Sequence, residues 1–172
     1  MSILGIFGKS AANEAADRIL VATMQAARAP ELYGEGRVPD TMDGRFELAT
    51  AFATLALLRL KVAPDADRVA QAYTDKLFRL FDAGLREAGV GDLSVARRMK
   101  ALAGAFYGRL AAYESALEDA VRLSTALGRN IWNDEFAPFA PELAGRLRAL
   151  HVRQSGEPPQ ALEAAEPWLT GV

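Results

Sequence analysis

Apolar residues recur along this chain at intervals of three and four, the signature of helices that bury one face. The clearest run is Val95, Met99, Leu102, Phe106, Leu110, Tyr113 and Leu117, a stripe ~33 Å long at a rise of ~1.5 Å per residue. Val69, Tyr73, Leu77, Leu80, Phe81 and Leu85 repeat the pattern one helix earlier. Leu48, Phe52, Leu55 and Leu58 form another stripe, but Ala49, Ala53, Ala56, Leu57 and Leu60 make the rest of that segment apolar too. A helix apolar all round belongs at the centre of a fold. No segment alternates with a period of two for long enough to suggest a strand.

These patterns predict an all-α protein. Residues 1–154 are expected to form a single-domain bundle of about six helices. Residues 155–172 read as a loose, proline-containing tail that Trp168 is able to anchor. The first helix is placed at residues 11–27, after Ser10 as N-cap and before Pro30. Residues 31–43, with two glycines and a proline, are the longest internal loop. A second helix follows to about Val62, and Pro64 and Asp65 restart the chain into a third. After the long stripe, residues 118–132 either continue that helix or form a fifth, with Gly128 and Asn130 marking its end. Pro138 and Pro141 lead into a last helix through about Arg153.

Composition narrows the function classes. The chain has 172 residues, 51% hydrophobic and 24% charged, the balance of a globular domain. A net charge of −2 and a pI near 5.5 give no whole-molecule reason to expect nucleic acid. There is no cysteine, which excludes thiolate metal sites and a cysteine nucleophile. The longest charge-free run within the domain, residues 48–58, falls far short of the ~20 residues that span a bilayer. A short Ile3–Phe7 cluster precedes the first helix, too short for a secretion signal; it either packs back on the body or touches a membrane interface. The expected location is cytoplasmic, with peripheral contact at the inner membrane left open.

Candidate chemistry is sparse. Residues 89–92 suit a tight joint between helices: Gly89 takes the left-handed position after a helix, Val90 closes its apolar contact, and Asp92 or Ser94 accepts from the next helix. Arg97, Arg98 and Lys100 then crowd the start of a helix, where cations oppose the macrodipole. Two readings stand: pairing with Glu87 or Asp92, or an external partner or lipid headgroup. On the same helix Arg97, Ala101, Gly104 and Gly108 form a stripe of small residues beside the core stripe, flanked by Tyr107 and Arg109, where another helix can approach closely. Asp40 and Asp43 read as a capping arrangement ahead of an apolar helix rather than a paired-carboxylate catalyst. His151 stands alone, and no phosphate-binding loop or nucleophile elbow is present. No catalytic set, metal site or cofactor is expected.

Three segments carry a resemblance: LYGEGRVPDTMDGRFEL from Leu32, LFRLFDAGLREAGVGDLSVARRMKALAGAFYGRLAAYESAL from Leu77, and ALGRNIW from Ala126. Together they resemble the ubiquinol–cytochrome c chaperone family over roughly residues 32–132. Pro39, Asp40, Asp43, Gly44 and Arg45 match its loop motif. Asp82, Leu85, Arg86, Glu87, Gly89, Val90, Gly91 and Asp92 match its hairpin motif, and Phe106, Tyr107, Gly108, Arg109 and Tyr113 its helix motif. Leu80 stands where an acidic residue is common in the family, and Ala88 where methionine is usual.

The resemblance implies a non-catalytic assembly factor of respiratory complex III that holds newly made cytochrome b, with the ribosome exit region or membrane surface as transient contacts. Residues expected to meet client or partner are Arg45, Arg86, Arg97, Arg98, Lys100, Ala101, Gly104, Tyr107, Gly108 and Arg109. Pro39, Asp40, Asp43, Gly44, Asp82, Gly89, Gly91 and Asp92 are expected to be structural. The alternative is a helical carrier of lipid, quinone or haem in a cavity lined by Phe52, Phe81 and Phe106.

Overall fold

Seven α-helices are present among the described residues of this computed structural model, which describes the backbone over residues 3–64 and 66–169 and side chains over 10–64 and 66–168. They are α1 (Ile3–Ala27), α2 (Met42–Lys61), α3 (Asp67–Glu87), α4 (Asp92–Ala116), α5 (Ala120–Trp132), α6 (Ala140–Gly156) and α7 (Glu166–Leu169). Two 3₁₀ turns, Pro30–Leu32 and Pro159–Glu163, complete the regular structure, and no strand is present among the described residues. The expectations on the Ile3–Phe7 side chains and on Asp65 lie outside the described residues.

The helix expected to be central is central. α2 packs against α1, α3, α4, α5 and α6, and its Leu48, Phe52, Leu55 and Ala56 are each at most 1% exposed. Its start differs in detail from the sequence reading. Thr41, not Asp40, is the N-cap, its hydroxyl accepting from the Gly44 N–H at 3.1 Å, while Asp40 turns outward to Arg45. A Cβ on Gly44 would lie 2.0 Å from the Pro39 carbonyl oxygen, so the loop can cross the helix start only over a bare Cα. The loop itself is closed down rather than free: Leu32 and Val38 are fully buried, and the Tyr33 hydroxyl donates to the Ala27 carbonyl at 2.7 Å.

The α3–α4 joint follows the sequence reading in its first half only. Gly89 sits at φ +78°, with Gly89 N–H on the Arg86 carbonyl and Val90 N–H on the Leu85 carbonyl, a Schellman stop. Neither Asp92 nor Ser94 caps α4. Gly91 is the N-cap and offers no side chain, while Asp92 accepts from Arg86 across the turn at 2.5 Å. Arg86 also grips Asp82 at 2.7 Å, so one guanidinium ties both arms of the hairpin.

Three further boundaries are corrected. α1 is already helical by Ile3, so Ser10 is interior to it, and its hydroxyl donates to Glu14 at 2.9 Å. α5 is the separate fifth helix of the two alternatives, capped by Asp119 and ending at Trp132 as expected, but Gly128 and Asn130 lie inside it and the left-handed stop is Asn133, at φ 54°. Gly128 is there for a close approach, since a Cβ on it would lie 2.5 Å from the Asp134 carbonyl oxygen. Finally, the tail is not loose. Trp168 is fully buried, its indole N–H donates to the Leu162 carbonyl at 2.9 Å, and Arg18 of α1 pairs with Glu163 at 2.6 Å. The tail's prolines shape it into a 3₁₀ turn that covers α1.

Candidate functional site

α4 carries three different faces, and its helical period sorts its residues among them. Val95, Phe106 and Tyr113 point into the core and are at most 2% exposed. Arg98, Ala101, Leu102, Ala105 and Arg109 line a cleft. Leu93, Arg97, Lys100, Gly104, Tyr107 and Gly108 look outward and are exposed.

The cleft has a volume of about 1060 Å³ and is partly open to solvent. Its second wall is α3, through Leu80, Phe81, Gly84 and Leu85. Met24, Ala27 and Arg28 close it from the end of α1, Met42, Phe46 and Glu47 from the start of α2, and Ile131 and Trp132 from the end of α5. From Arg98 to Arg109 the α4 wall is ~16 Å long, three turns of helix at ~1.5 Å per residue. The apolar lining is adaptable on one side, where Met24 and Met42 supply unbranched thioether side chains. It is rigid on the other, where Phe46 and Phe81 meet edge to face at 5.1 Å and Phe81 continues through Phe78 to Phe106.

One ion pair sits on the cleft lining. Arg109 Nε and Nη2 each donate to a different Glu47 oxygen at 2.5 Å, and its remaining Nη1 donates to the Ala105 carbonyl at 3.3 Å. The guanidinium also lies 5.6 Å from the Phe46 ring centre. Burial pushes the Glu47 carboxyl above the usual carboxylate range; Arg109 pulls the other way without cancelling it. Arg109 therefore pins α4 to α2, each of its three guanidinium nitrogens donating one bond within the fold. Nearby, Asn130 donates to the Tyr113 hydroxyl at 3.1 Å, joining α5 to α4, and burial holds that phenol well above its ordinary pKa.

At the rim, Arg45 is held to Asp40 at 2.7 and 3.3 Å, and the bond from Arg45 keeps the Asp40 carboxyl below its ordinary pKa. Arg28 and Arg98, also on the rim, form no ion pair with any described residue. The Tyr33 phenol close to this edge is pushed up to about 12, by burial first and by Asp40 second.

Set against the expected client-binding set, Arg45, Arg98, Ala101 and Arg109 converge on the cleft. Arg97, Lys100, Gly104, Tyr107 and Gly108 do not; they lie on the outward face. A Cβ added at Gly104 or Gly108 meets nothing within 4 Å, so no other helix among the described residues packs on the small-residue stripe there. Arg86 is spent on Asp82 and Asp92 in the hairpin. Pairing of Arg97, Arg98 or Lys100 with Glu87 or Asp92 does not occur. Nor do Phe52, Phe81 and Phe106 line a shared cavity: Phe52 and Phe106 are at most 1% exposed in the core, and only Phe81 reaches the cleft.

Cleft residues that the sequence reading missed include Met24, Arg28, Met42, Glu47 and Trp132. Glu47 carried a usable signal. A carboxylate inside the run FELATAF needs a cationic partner once that helix is buried. Trp132 ends the ALGRNIW segment, where its indole N–H donates to the Arg37 carbonyl at 3.1 Å. Among the described residues, no three His, Asp or Glu side chains converge as a metal ion would require. No described helix is long and apolar enough to cross a membrane.

Comparison with curated proteins finds no match. Among solved structures the chain is similar to the crystal structure of the Cbp3 homolog from Brucella abortus. The identity is 39%, with 96% of this chain and 94% of that one covered, and the TM-score is 0.81. The family described as Ubiquinol-cytochrome C chaperone matches residues 35–164, a stretch that begins in the closed loop ahead of α2, takes in the α3–α4 hairpin and the α4 cleft wall, and reaches the buried tail. With that span of its architecture shared, the chain belongs to the ubiquinol–cytochrome C chaperone family, which serves assembly of respiratory complex III and does no catalysis.

Proposed function

We propose that this protein holds newly made cytochrome b during assembly, seating about three turns of an apolar client helix in the cleft between α3 and α4. The observation that carries this reading is the cleft itself: partly open, apolar along both walls, and edged by Arg28 and Arg98, which form no ion pair with a described residue. A ~16 Å wall covers about half the ~30 Å hydrocarbon span of a transmembrane helix. That is enough to shield part of one from water and leave it releasable. Ala101 and Leu102 form the seat, Phe81 and Trp132 its sides, and the methionines adapt to client side chains. Arg28 and Arg98 meet the polar loops that follow a membrane segment, beside Arg45, which Asp40 holds in place. Arg109 and Glu47 keep the wall in place.

The test is a photoreactive residue at Ala101, with crosslinking in cells making cytochrome b, beside the same residue at Gly104 on the outward face. Crosslinks to cytochrome b from 101 and few from 104 are expected. Deleting the gene should lower the b-type haem signal in reduced-minus-oxidised spectra of membranes. Unchanged complex III content, or crosslinks from 104 alone, would overturn the assignment.

A further inference from the structure

The outward face of α4 is not accounted for by the cleft. Leu93 is 99% exposed there, and Arg97 and Lys100 follow at four and seven residues, on the same side of the helix. Arg98 is turned away from them by the helical period, onto the cleft rim. None of the three cations forms an ion pair with a described residue, and Asp92, the nearest acid in sequence, is already held by Arg86. Between Arg86 and Lys100 cations outnumber acids four to two, in a chain whose net charge is −2. Glu87, exposed at the hairpin tip, is the remaining acid of this stretch.

We infer that this face, Leu93 with Arg97 and Lys100, docks the protein on an anionic lipid bilayer. The charge of the partner follows from the unpaired cations. Its apolar depth follows from Leu93, beside the half-buried Val90: a leucine gains nothing against a nucleic-acid backbone but gains by entering the boundary between headgroups and acyl chains.

Flotation of the purified full chain with vesicles tests this directly. One set contains about a third phosphatidylglycerol in phosphatidylcholine, the other phosphatidylcholine alone. Binding is expected to the first set only, and to weaken as salt is raised. Each cation near an anionic surface is worth about fivefold in partitioning, so R97E/K100E should lower it about 25-fold or more. L93S should lower it about tenfold. R68E, the same kind of charge reversal at the far end of α3, should leave binding unchanged, and far-UV circular dichroism should show every variant folded.

Equal binding to neutral vesicles, equal binding by R97E/K100E, or binding to polyuridine and not to vesicles would overturn the inference. So would no binding at all. None of these outcomes bears on crosslinking from position 101, so the client reading stands or falls separately.

Discussion

Removing the Arg109 guanidinium while keeping bulk, as Arg109→Met, strands a buried carboxylate. Glu47 is 5% exposed and has both oxygens bonded to Arg109 at 2.5 Å. Breaking one side of a buried pair costs about 3–5 kcal/mol. The Arg109 side chain keeps 22% of its exposure on the cleft lining, so partial solvation places the cost near ~2–3 kcal/mol at neutral pH. The pH dependence has a definite sign. Burial, only partly opposed by Arg109, already lifts the Glu47 carboxyl above its ordinary 4.5, so the folded state binds this proton more tightly than the unfolded chain. The stability tied to that proton is complete below pH 4.5 and is lost as pH rises through the folded value. Without Arg109 the folded value rises further and the loss extends to higher pH. The variant's deficit should therefore shrink to ~1 kcal/mol or less near pH 4, where Glu47 is neutral. Urea unfolding at pH 7 and pH 4, with equal m-values, measures both deficits. The double variant E47L/R109M, which leaves no charge buried, should return close to wild-type stability at pH 7. A deficit of the same size at both pH values, or a wild-type midpoint for R109M at pH 7, would refute an ionic role for the pair.

Two further outcomes follow from the packing. Gly44→Ala should cost about 3 kcal/mol, because the added Cβ meets the Pro39 carbonyl at 2.0 Å, whereas Gly104→Ala, with open space around it, should raise stability by ~0.5–1 kcal/mol; thermal melts showing the same sign for both would contradict this. Trp168→Ala should destabilise the whole domain by about 3–5 kcal/mol in a single cooperative transition, since the fully buried indole fastens the tail; a change below 1 kcal/mol in urea unfolding would restore the picture of a loose arm.

Local rules were legible wherever one helix or one turn decides the outcome. The α4 stripe was read with the right period, and the Gly89 stop has the backbone and hydrogen bonds expected of it. The uniformly apolar run of α2 announced its central place. Charged residues were less readable, because a sequence gives the need for a partner but not the partner. Asp40 appeared to be a cap and is the counter-ion of Arg45; Asp92 appeared to be a cap and is the counter-ion of Arg86. Arg109 appeared free to meet a client and is engaged by Glu47, 62 positions away.

By itself the sequence determined that the protein is helical, where most helices run, which helix is central, and which family the motifs resemble. Those properties depend on periodicity and on turn residues acting within a few positions of themselves. Tertiary structure alone decided which flank of α4 borders the cleft and that the tail is part of the body. It also left Leu93, Arg97 and Lys100 facing outward without partners. Side-chain period assigns residues to faces of a helix, but only the packing of α2, α3 and α5 around α4, with the end of α1 closing the cleft, determines which face is covered, which borders a cavity and which remains in water.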